Sequence, residues 1–304
     1  MRPFALASPH VLLLLPPLFW AGNAVAARAY AAEIPPHALS FWRWTLALAL
    51  LLPAGLPRVA AAWPLVRAHW KLFAVEGALS VAAYNTLLYM ALQSTTAINA
   101  TLVSASLPII VVLLSWVWLG QRVSLRQAAG VALSLSGVLA VVARGRPEVL
   151  LGLEFTSGDV LMIVATTGWA VYSLLLRRNP PGLDPVAFLT VQIAVGVALI
   201  LPLYLWEAHG GARMSLDVGA LAAIAYTAVF ASLAAFLLWN RGVAAVGATV
   251  AGLYIYLIPA FTALMAIPLL GERFQWFHAV GTAMIFTGIG LATRNSFAVG
   301  RQKR

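Results

Sequence analysis

Two stretches of the sequence read alike: SLPIIVVLLSWVWLGQR at residues 106–122 and LIPAFTALMAIPLLGER at residues 257–273. Each is a long apolar run with an early proline, and each ends in Leu-Gly, a polar residue and Arg. Residues 97–137 match the residues 151 positions later at twelve of 41 positions, which are Ala97, Ala100, Leu102, Pro108, Leu113, Leu119, Gly120, Arg122, Ala128, Gly130, Ala132 and Gly137. The chain therefore contains two copies of one unit.

The composition is that of a membrane protein. Hydrophobic residues make up 62% of the chain, charged residues 9%, and the mean hydropathy is +0.91. A soluble domain carries about 25% charged residues, so a water-soluble fold is excluded. The chain has no cysteine, which excludes disulfides and thiolate metal sites. Its net charge of +10 is typical of loop charges in a membrane protein, and no basic face for nucleic acid is visible.

Charged and turn-rich breaks divide the chain into about ten apolar segments, each near the roughly 20 residues that a bilayer requires. They lie near 9–31, 37–56, 71–92, 96–118, 125–143, 157–177, 185–206, 217–240, 246–270 and 274–293. The longest link, from Arg144 to Ser157, separates a unit at 1–146 from a unit at 147–304. The first segment could instead be a signal peptide, but the prolines Pro16 and Pro17 interrupt its apolar run.

The distribution of lysine and arginine predicts the orientation. With the N-terminus in the cytoplasm, the inside segments hold 13 Lys and Arg residues and the outside segments hold 5. Both termini are then cytoplasmic. Because each unit has five spans, an odd number, the second unit is inverted in the membrane. In the first part of the units the offset is 149, so that Trp20 meets Trp169. Inverted repeats are typical of alternating-access transporters, although duplication in a purely structural membrane protein is an alternative.

Three features of the chain resemble the EamA branch of the drug/metabolite transporter superfamily. They are the segment FWAGNAVAARAYAAEIPPHALSFWRW at residues 19–44, the proline-bearing fourth and ninth spans, and the LGQR and LGER signatures. The resemblance implies ten transmembrane helices, a central cavity lined by spans 1, 3, 4, 6, 8 and 9, and export from the cytoplasm across a bacterial inner membrane. Within this branch the chain is similar to bacterial exporters of amino acids, aromatic and other neutral ones among them, and of related small metabolites, but no local motif encodes the substrate.

Polar and aromatic residues at mid-span are expected to face inward, because lipid disfavours them. The predicted substrate-binding residues are Trp20, Asn23, Tyr84, Asn85, Thr101, Ser104, Ala105, Pro108, Trp169, Tyr172, Trp239, Tyr256 and Pro259. Aromatic faces attract an ammonium group and amides bind carboxylates, so this set suits a zwitterion with an apolar side chain. Alternatives are interfacial belts for the aromatic residues, interhelical hydrogen bonds for Asn23 and Asn85, and static kinks rather than hinges at the two prolines.

The charged residues predict facilitated transport. Apart from Glu76, the carboxylates fall in links or at span ends, and Glu76 lies near the cytoplasmic end of the third span, from which it could snorkel. Arg43 is assigned to a position near the outer end of the second span, outside the cavity, where it either orients a gate or reaches the interface; its repeat counterpart is Gln192. An exporter of drug-like cations requires a central carboxylate, and a nucleotide-sugar carrier requires a central Lys or Arg. Neither is seen in the sequence, and both remain alternatives.

The sequence predicts a monomer without cofactor or metal. It has no GxxxxGKS loop for ATP, no ligand spacing among its histidines, and no nucleophile–base constellation of an enzyme. The expected partners are the lipid bilayer and a small-molecule substrate. A small-residue stripe at Ala128, Ala132, Ser136 and Ala140 recurs at Ala279, Ala283 and Thr287. It predicts that spans 5 and 10 pack together within one chain, with a homodimer seam as the alternative.

Overall fold

The structure, a computed structural model, describes residues 9–120, 124–146, 148, 156–178, 180, 182–246 and 254–299. These residues form helices and turns, with no strand among them. The α-helices are α1 (Pro9–Ala29), α2 (Pro36–Ala61), α3 (Trp63–Ala68), α4 (Trp70–Gly77), α5 (Tyr84–Ala91), α6 (Ala97–Ser104), α7 (Leu107–Leu119), α8 (Leu125–Val142), α9 (Ser157–Leu175), α10 (Pro185–His209), α11 (Val218–Tyr226), α12 (Ala235–Val246), α13 (Leu257–Leu270) and α14 (Trp276–Val299). A 3₁₀ turn covers Leu176–Arg178.

Seven helical runs in the described part of the chain are long and apolar enough to cross a membrane. They are Leu12–Ala29, Pro36–Ala61, Trp70–Ala91, Ala97–Trp118, Ser157–Leu175, Pro185–His209 and Val218–Trp239. Two shorter apolar helices cover Leu125–Val141 and Leu257–Leu270. The prediction of an all-helical membrane protein is therefore confirmed, and the full set of ten spans stays a prediction.

The two Leu-Gly signatures mark the ends of helices. Gly120 follows α7 with φ of 62°, and Gly271 follows α13 with φ of 65°. This left-handed conformation strains residues that carry a Cβ atom, which is why glycine ends both helices. The residue after Gly271, Glu272, accepts hydrogen bonds from the backbone N–H groups of Ala97 and Ile98 at 2.8 and 3.1 Å. It thereby satisfies free donors at the start of α6.

A second carboxylate caps a helix at the same end of the bundle. Glu207, near the end of α10, accepts from the backbone N–H groups of His37 and Ala38 at 3.2 and 2.8 Å, and its Oε1 lies 2.7 Å from His37 Nδ1. Arg28 Nη1 donates to the carbonyl of Leu92, the residue that follows α5, at 2.5 Å. These contacts join segments that are distant in sequence. They hold together the side that the Lys and Arg distribution assigns to the outside.

Helices α8 and α14 pack closely, which confirms the predicted contact between these two segments. The contact face differs from the predicted stripe. Gly137 and Gly281 approach so closely that a Cβ atom on either would lie within 3 Å of the other's carbonyl oxygen, and Ser134 Oγ donates to Ile285 O at 3.0 Å. The stripe residues Ala128, Ala132, Ser136, Ala279, Ala283 and Thr287 are exposed and Ala140 is partly exposed. The close contact between α8 and α14 is therefore made by glycines on a neighbouring face of each helix, and not by the predicted stripe.

The remaining helices cross between the two halves of the chain. Helix α2 packs along α10, where Gly55 lies directly against Thr190. Helix α1 packs against α12 and α13, and α9 packs against α5 and α7. Helix α1 therefore contacts the second half of the sequence, and α9 contacts the first half. The core contains buried residues from both halves.

The third and the seventh of the candidate spans each contain a π-helix. The first π-helix (Ala78–Ala83) joins α4 to α5, and the second π-helix (Thr227–Ala234) joins α11 to α12. They begin 149 residues apart, at Ala78 and Thr227. A π-helix shifts the backbone hydrogen-bond register and is common at functional sites. The second π-helix supplies a carbonyl group to the site described below.

Each of the two proline-bearing apolar runs is interrupted near its proline, at the position for which the sequence allowed either a hinge or a static kink. Helix α6 ends at Ser104 and α7 begins at Leu107, so Pro108 falls in the first turn of a new helix. Pro259 likewise falls in the first turn of α13. Proline is well tolerated there, because the first N–H groups of a helix have no intrahelical acceptor. Ala105 (φ −65°, ψ −12°) and Tyr256 (φ −66°, ψ −10°), which are 151 residues apart, stand at the two breaks with nearly the same backbone conformation.

Candidate functional site

Arg43 lies at the centre of the most extensive buried polar cluster in the described structure. It is the eighth residue of α2, it is only 1% exposed, and its guanidinium contacts α1, α5 and the second π-helix. Its place in the outer part of the second span agrees with the sequence-based assignment, but a side chain that reaches the interface, one of the two roles left open, is contradicted by its burial. Arg43 lies close to the start of α2, and its position in the helix does not by itself show whether its side chain is buried. The side chain turns inward to its hydrogen-bond partners.

Two predicted site residues bind Arg43 directly. Arg43 Nη1 donates to Asn85 Oδ1 at 2.6 Å and to Asn23 Oδ1 at 3.1 Å. The same nitrogen donates to the Tyr89 hydroxyl at 2.5 Å, and that hydroxyl donates to Asn23 Oδ1 at 2.7 Å. Both asparagines thus form interhelical hydrogen bonds, one of the two roles that the sequence left open. Tyr89, one helical turn after Asn85, was missed, although the spacing of four residues puts the two on one face.

The second π-helix closes the cluster from the other half of the chain. Arg43 Nε donates to Ser232 Oγ at 2.7 Å, and Nη2 donates to Ala231 O at 3.3 Å. Trp20 Nε1 donates to the same carbonyl at 3.1 Å, and its ring packs against the rings of Phe236 and Trp239 at 6.2 and 5.6 Å. Trp20 therefore shares a carbonyl acceptor with the guanidinium, and Trp239 packs against the ring of Trp20.

The charge on Arg43 has no opposite charge among these contacts. Its hydrogen-bond acceptors are amide, hydroxyl and carbonyl oxygens, all of them neutral. The guanidinium carbon also lies 4.7 Å from the centre of the Trp44 ring, a cation–π contact. Trp44 is fully buried, and in the described structure its Nε1 has no hydrogen-bond acceptor. The cluster thus combines a buried cation with a buried, unpaired donor.

A second group of predicted residues lies between α5, α6 and α9. The ring of Trp169 lies 4.8 Å from that of Tyr84 and 5.2 Å from that of Tyr172. The Tyr84 hydroxyl is 3.4 Å from Ser104 Oγ, which marks a weak hydrogen bond. Tyr84 and Asn85 are adjacent in the sequence, but they enter different groups. Tyr84 joins the aromatic group, and Asn85 binds Arg43.

Gln192 and Glu76 border this aromatic group. Gln192 Nε2 donates to the Tyr172 hydroxyl at 3.3 Å, and Glu76 is near enough for its charge to act on that hydroxyl. The side chain of Glu76 is fully buried, so the expectation that it snorkels to the interface is wrong. The cause is its position, since the next residue, Gly77, packs directly against α10 at Val195.

The other predicted residues are not brought into either group. Thr101 Oγ1 donates to carbonyls of its own helix, those of Ala97 and Ile98 at 2.9 and 3.1 Å. The ring of Tyr256 lies 5.6 Å from Phe286 of α14. The remaining three stand at the helix breaks, and the side chain of one of them is outside the described part; they are Ala105, Pro108 and Pro259.

Sequence reasoning missed Arg43, Tyr89 and Ser232 as members of the site. A signal for Arg43 existed, since an ionisable residue within an apolar span is costly unless it is buried with partners. The contact of Ser232 could not be read from the sequence, because it depends on the register shift of a π-helix. The sequence analysis counted the lack of a central Lys or Arg against a nucleotide-sugar carrier, and the buried Arg43 weakens that argument.

Two further features of the described residues bear on what the site is. A surface cleft of about 450 Å³ lies near the exposed ion pair of Arg58 and Asp184, whose closest atoms are 3.7 Å apart. Its lining includes none of the predicted residues and none of the residues of the polar cluster, so it is not the candidate site. Among the described residues no group of three His, Cys, Asp or Glu side chains is positioned to hold a metal ion.

Comparisons with known proteins agree with this architecture. A protein from Archaeoglobus fulgidus named "Uncharacterized transporter" is 30% identical over 294 residues, which are 93% of this chain and 96% of the relative. A protein from Streptantibioticus cattleyicolor named "Probable terminal-alkyne amino-acid exporter" is 28% identical and aligns over 96% of this chain and 94% of its own length. A crystal structure of a protein with 20% identity superposes with a TM-score of 0.62 over 97% of this chain and 99% of its own, which shows a shared fold.

The model of one transporter family matches the chain twice, at residues 7–143 and at residues 156–294. The two matches meet at the link that the sequence marks as the longest, and together they cover nearly the whole chain. The buried polar cluster uses residues from both matched segments, Arg43 from the first and Ser232 from the second. A multi-pass helical membrane protein with these matches and these relatives belongs to the EamA-like transporter family.

Proposed function

We propose that the protein exports amino acids, aromatic and other neutral ones, from the cytoplasm by alternating access. In this proposal the chain is a monomer of ten transmembrane helices in a bacterial inner membrane, with both termini in the cytoplasm. It consists of two inverted five-helix repeats, at residues 1–146 and 147–304, and the substrate binds between them. Transport is facilitative, driven by the substrate gradient.

One observation carries the substrate class: the buried guanidinium of Arg43 lies among amides and hydroxyls and beside aromatic rings. An amino acid offers a carboxylate to a cation, polar groups to amides, and an apolar or aromatic side chain to rings such as those of Trp20 and Trp169. The relative from Streptantibioticus cattleyicolor, which carries the words amino-acid exporter in its name, supports the same class.

Two pairs of features at nearly the same offset support the proposed repeats. The two π-helices start 149 residues apart, and the two breaks at Ala105 and Tyr256 are 151 residues apart. Alternating access is supported by the cluster's burial. The carboxylates of Glu207 and Glu272, from the second half of the chain, cap helices of the first half at one end of the bundle, and in this proposal these contacts form the closed side.

An exporter of anionic metabolites such as nucleotide sugars is the second candidate, and the central Arg43 is the observation that favours it. A nucleoside diphosphate carries about two or three negative charges, whereas the polar cluster supplies one cation. A single carboxylate therefore fits the charge of the cluster better. Drug-like cations are disfavoured, because a buried guanidinium repels them in a medium of low dielectric constant.

Uptake into liposomes tests the proposal. The purified full chain is reconstituted, and uptake of a panel of labelled amino acids, one nucleotide sugar and one cationic dye is measured with and without a pH gradient. We expect saturable amino-acid uptake without the gradient, and its loss in Trp169→Ala and Tyr84→Ala variants that remain folded. Uptake only with the gradient contradicts facilitative transport, and uptake of the nucleotide sugar alone favours the second candidate.

A further inference from the structure

We infer that Arg43 is the counter-charge for a carboxylate group on the transported molecule. The inference rests on the proposed function and names the residue that selects the substrate class. In the described structure the guanidinium is almost completely buried, and its hydrogen-bond acceptors are neutral. A site of this kind recognises substrates that carry a negative group and discriminates against neutral amides and amines of the same shape.

Burying a charge costs free energy. A cation that leaves water loses its hydration, and neutral hydrogen-bond partners replace only part of that loss. Buried arginines are accordingly paired with anions in most proteins. The polar cluster around Arg43 instead presents two asparagine side chains, a tyrosine and a serine. An anion that enters this cluster is therefore attracted more strongly than it would be to a guanidinium already paired with a carboxylate.

The hydrogen-bond inventory of the guanidinium points the same way. Arg43 has five N–H donors, of which two lie on Nη2. Among the described residues Nη2 has one acceptor, Ala231 O, at the long distance of 3.3 Å. That carbonyl also accepts from Trp20 Nε1. A carboxylate oxygen would accept from Nη2 with a shorter, charge-assisted hydrogen bond, which is about twice as strong as one to a neutral oxygen.

A second donor in the same neighbourhood is unpaired. Trp44 Nε1 is buried and has no acceptor in the part of the chain that the structure describes, and the Trp44 ring lies 4.7 Å from the guanidinium carbon. An unsatisfied buried donor is costly, so such groups are rare in folded proteins. A ligand with two acceptor oxygens, such as a carboxylate, can approach a guanidinium and a neighbouring indole N–H together. An ammonium group or a hydrocarbon could satisfy neither donor.

A purely structural role for Arg43 makes a different prediction. If the guanidinium only ties α1, α5 and the second π-helix together, its loss would lower stability and reduce transport of all substrates alike. If it binds the carboxylate, its loss would change which substrates bind. The discriminating quantity is therefore the preference for a carboxylate over its neutral amide, measured on a folded variant.

The test uses the full chain in liposomes, with uptake of labelled phenylalanine and four unlabelled competitors. The competitors are phenylalanine, phenylalaninamide, phenethylamine and 3-phenylpropionate, which differ in the carboxylate or the ammonium group alone. The variants are Arg43→Gln, Arg43→Lys and Arg58→Gln. Arg58 is the matched control, an exposed arginine on the same helix. In parallel, the thermal unfolding midpoint in detergent is measured with 3-phenylpropionate or phenylalaninamide.

We expect the wild-type protein and Arg58→Gln to prefer both carboxylates to the amide and the amine. In Arg43→Gln the preference falls by roughly tenfold to a hundredfold, the loss of one or two hydrogen bonds to a charged group. Arg43→Lys retains an intermediate preference, because it keeps the charge and loses the fork of donors.

Each failure has its own signature. If wild-type protein takes up no amino acid, the proposed function fails, and stabilisation by 3-phenylpropionate in wild type but not in Arg43→Gln would still support the inference. If uptake is present and Arg43→Gln retains the full carboxylate preference, or if carboxylates stabilise both proteins equally, the inference is overturned. A uniform loss for all competitors in a folded Arg43→Gln protein overturns it as well and leaves Arg43 with a structural role.

Discussion

Arg43 and Asn23 form a hydrogen-bonded pair 20 residues apart in the first half of the chain, and Gln192 and Tyr172 form one in the second half. Each member of the second pair lies 149 residues after its counterpart in the first. The helix geometry is thus alike in the two regions, while their chemistry differs. Arg43 is a cation with five hydrogen-bond contacts, and Gln192 is a neutral amide whose bond to Tyr172 is long, at 3.3 Å.

The proposed repeats therefore keep the same two helix positions in contact, but they do not keep the charges of the side chains at those positions. The Arg43 region carries a positive charge, and the Gln192 region packs against Gly77, the neighbour of the buried carboxyl group of Glu76. In the proposed function the substrate binds between these two regions. A zwitterion, with its opposite charges at its two ends, is the kind of molecule that such a site can orient.

Moving the charge from one region to the other should have the largest effect. We expect Arg43→Gln to lower amino-acid transport by roughly a hundredfold, and the double variant with Gln192→Arg not to restore it. The new guanidinium would lie beside Tyr172 and near Glu76, with which it would pair, and it would lack the acceptors Asn85 and Ser232. The measurement is initial uptake into liposomes at equal protein content. Full restoration in the double variant would mean that the two regions are equivalent.

Removal of single hydroxyl groups compares the two regions in stability. The Tyr89 hydroxyl accepts from Arg43 and donates to Asn23. Tyr89→Phe therefore removes one hydrogen-bond partner from each of these two buried side chains. We expect a loss of about 1–3 kcal/mol in unfolding free energy, against about 1 kcal/mol or less for Tyr172→Phe, whose bond to Gln192 is weak. Thermal unfolding of both variants in the same detergent measures the difference. An equal or larger shift in Tyr172→Phe would contradict the assignment of the stronger network to Arg43.

Much of the fold could be predicted from the sequence because apolar length and the positions of proline and glycine act locally. The helical membrane class, the contact between α8 and α14, and the inward position of Trp20 and Trp169 followed from such signals. The face of the α8–α14 contact could not be predicted in the same way. Two small-residue stripes run along α8, and the choice of Gly137 over Ala132 depends on the rotation of one helix against the other.

The site was predicted in its aromatic and amide parts and missed at its charged centre. Asn23, Asn85 and Trp20 were found because polar and aromatic residues are unusual at mid-span. Arg43 was left out of the cavity because a long side chain near a helix end can either orient a gate or reach the interface. Its burial depends on acceptors from α1, α5 and the second π-helix, which only the assembled bundle brings together.

Neutralising Glu76 tests the region of opposite charge. We expect Glu76→Gln to retain most of its amino-acid transport and to remain insensitive to a pH gradient, because facilitative transport needs no proton carrier. The measurement is uptake with and without the gradient, with Glu207→Gln as a control carboxylate at the end of the bundle. Complete loss of transport in Glu76→Gln, with a folded protein, would instead assign proton coupling to the Gln192 region and reject the facilitative mechanism.

The two π-helices allow the smallest and most closely matched comparison, since each contains a serine that bonds to backbone. Ser232 Oγ donates to Thr227 O at 3.0 Å and also accepts from Arg43 Nε, whereas Ser80 Oγ donates to Glu76 O at 2.6 Å. Ser232→Ala should raise the half-saturation concentration for amino acids about threefold, because it removes an acceptor that holds the guanidinium in position. Ser80→Ala removes no contact to Arg43 and should change that concentration less. Equal effects in the two variants would mean that the serines serve the π-helix backbone alone, and that the orientation of Arg43 depends on Asn23, Asn85 and Tyr89.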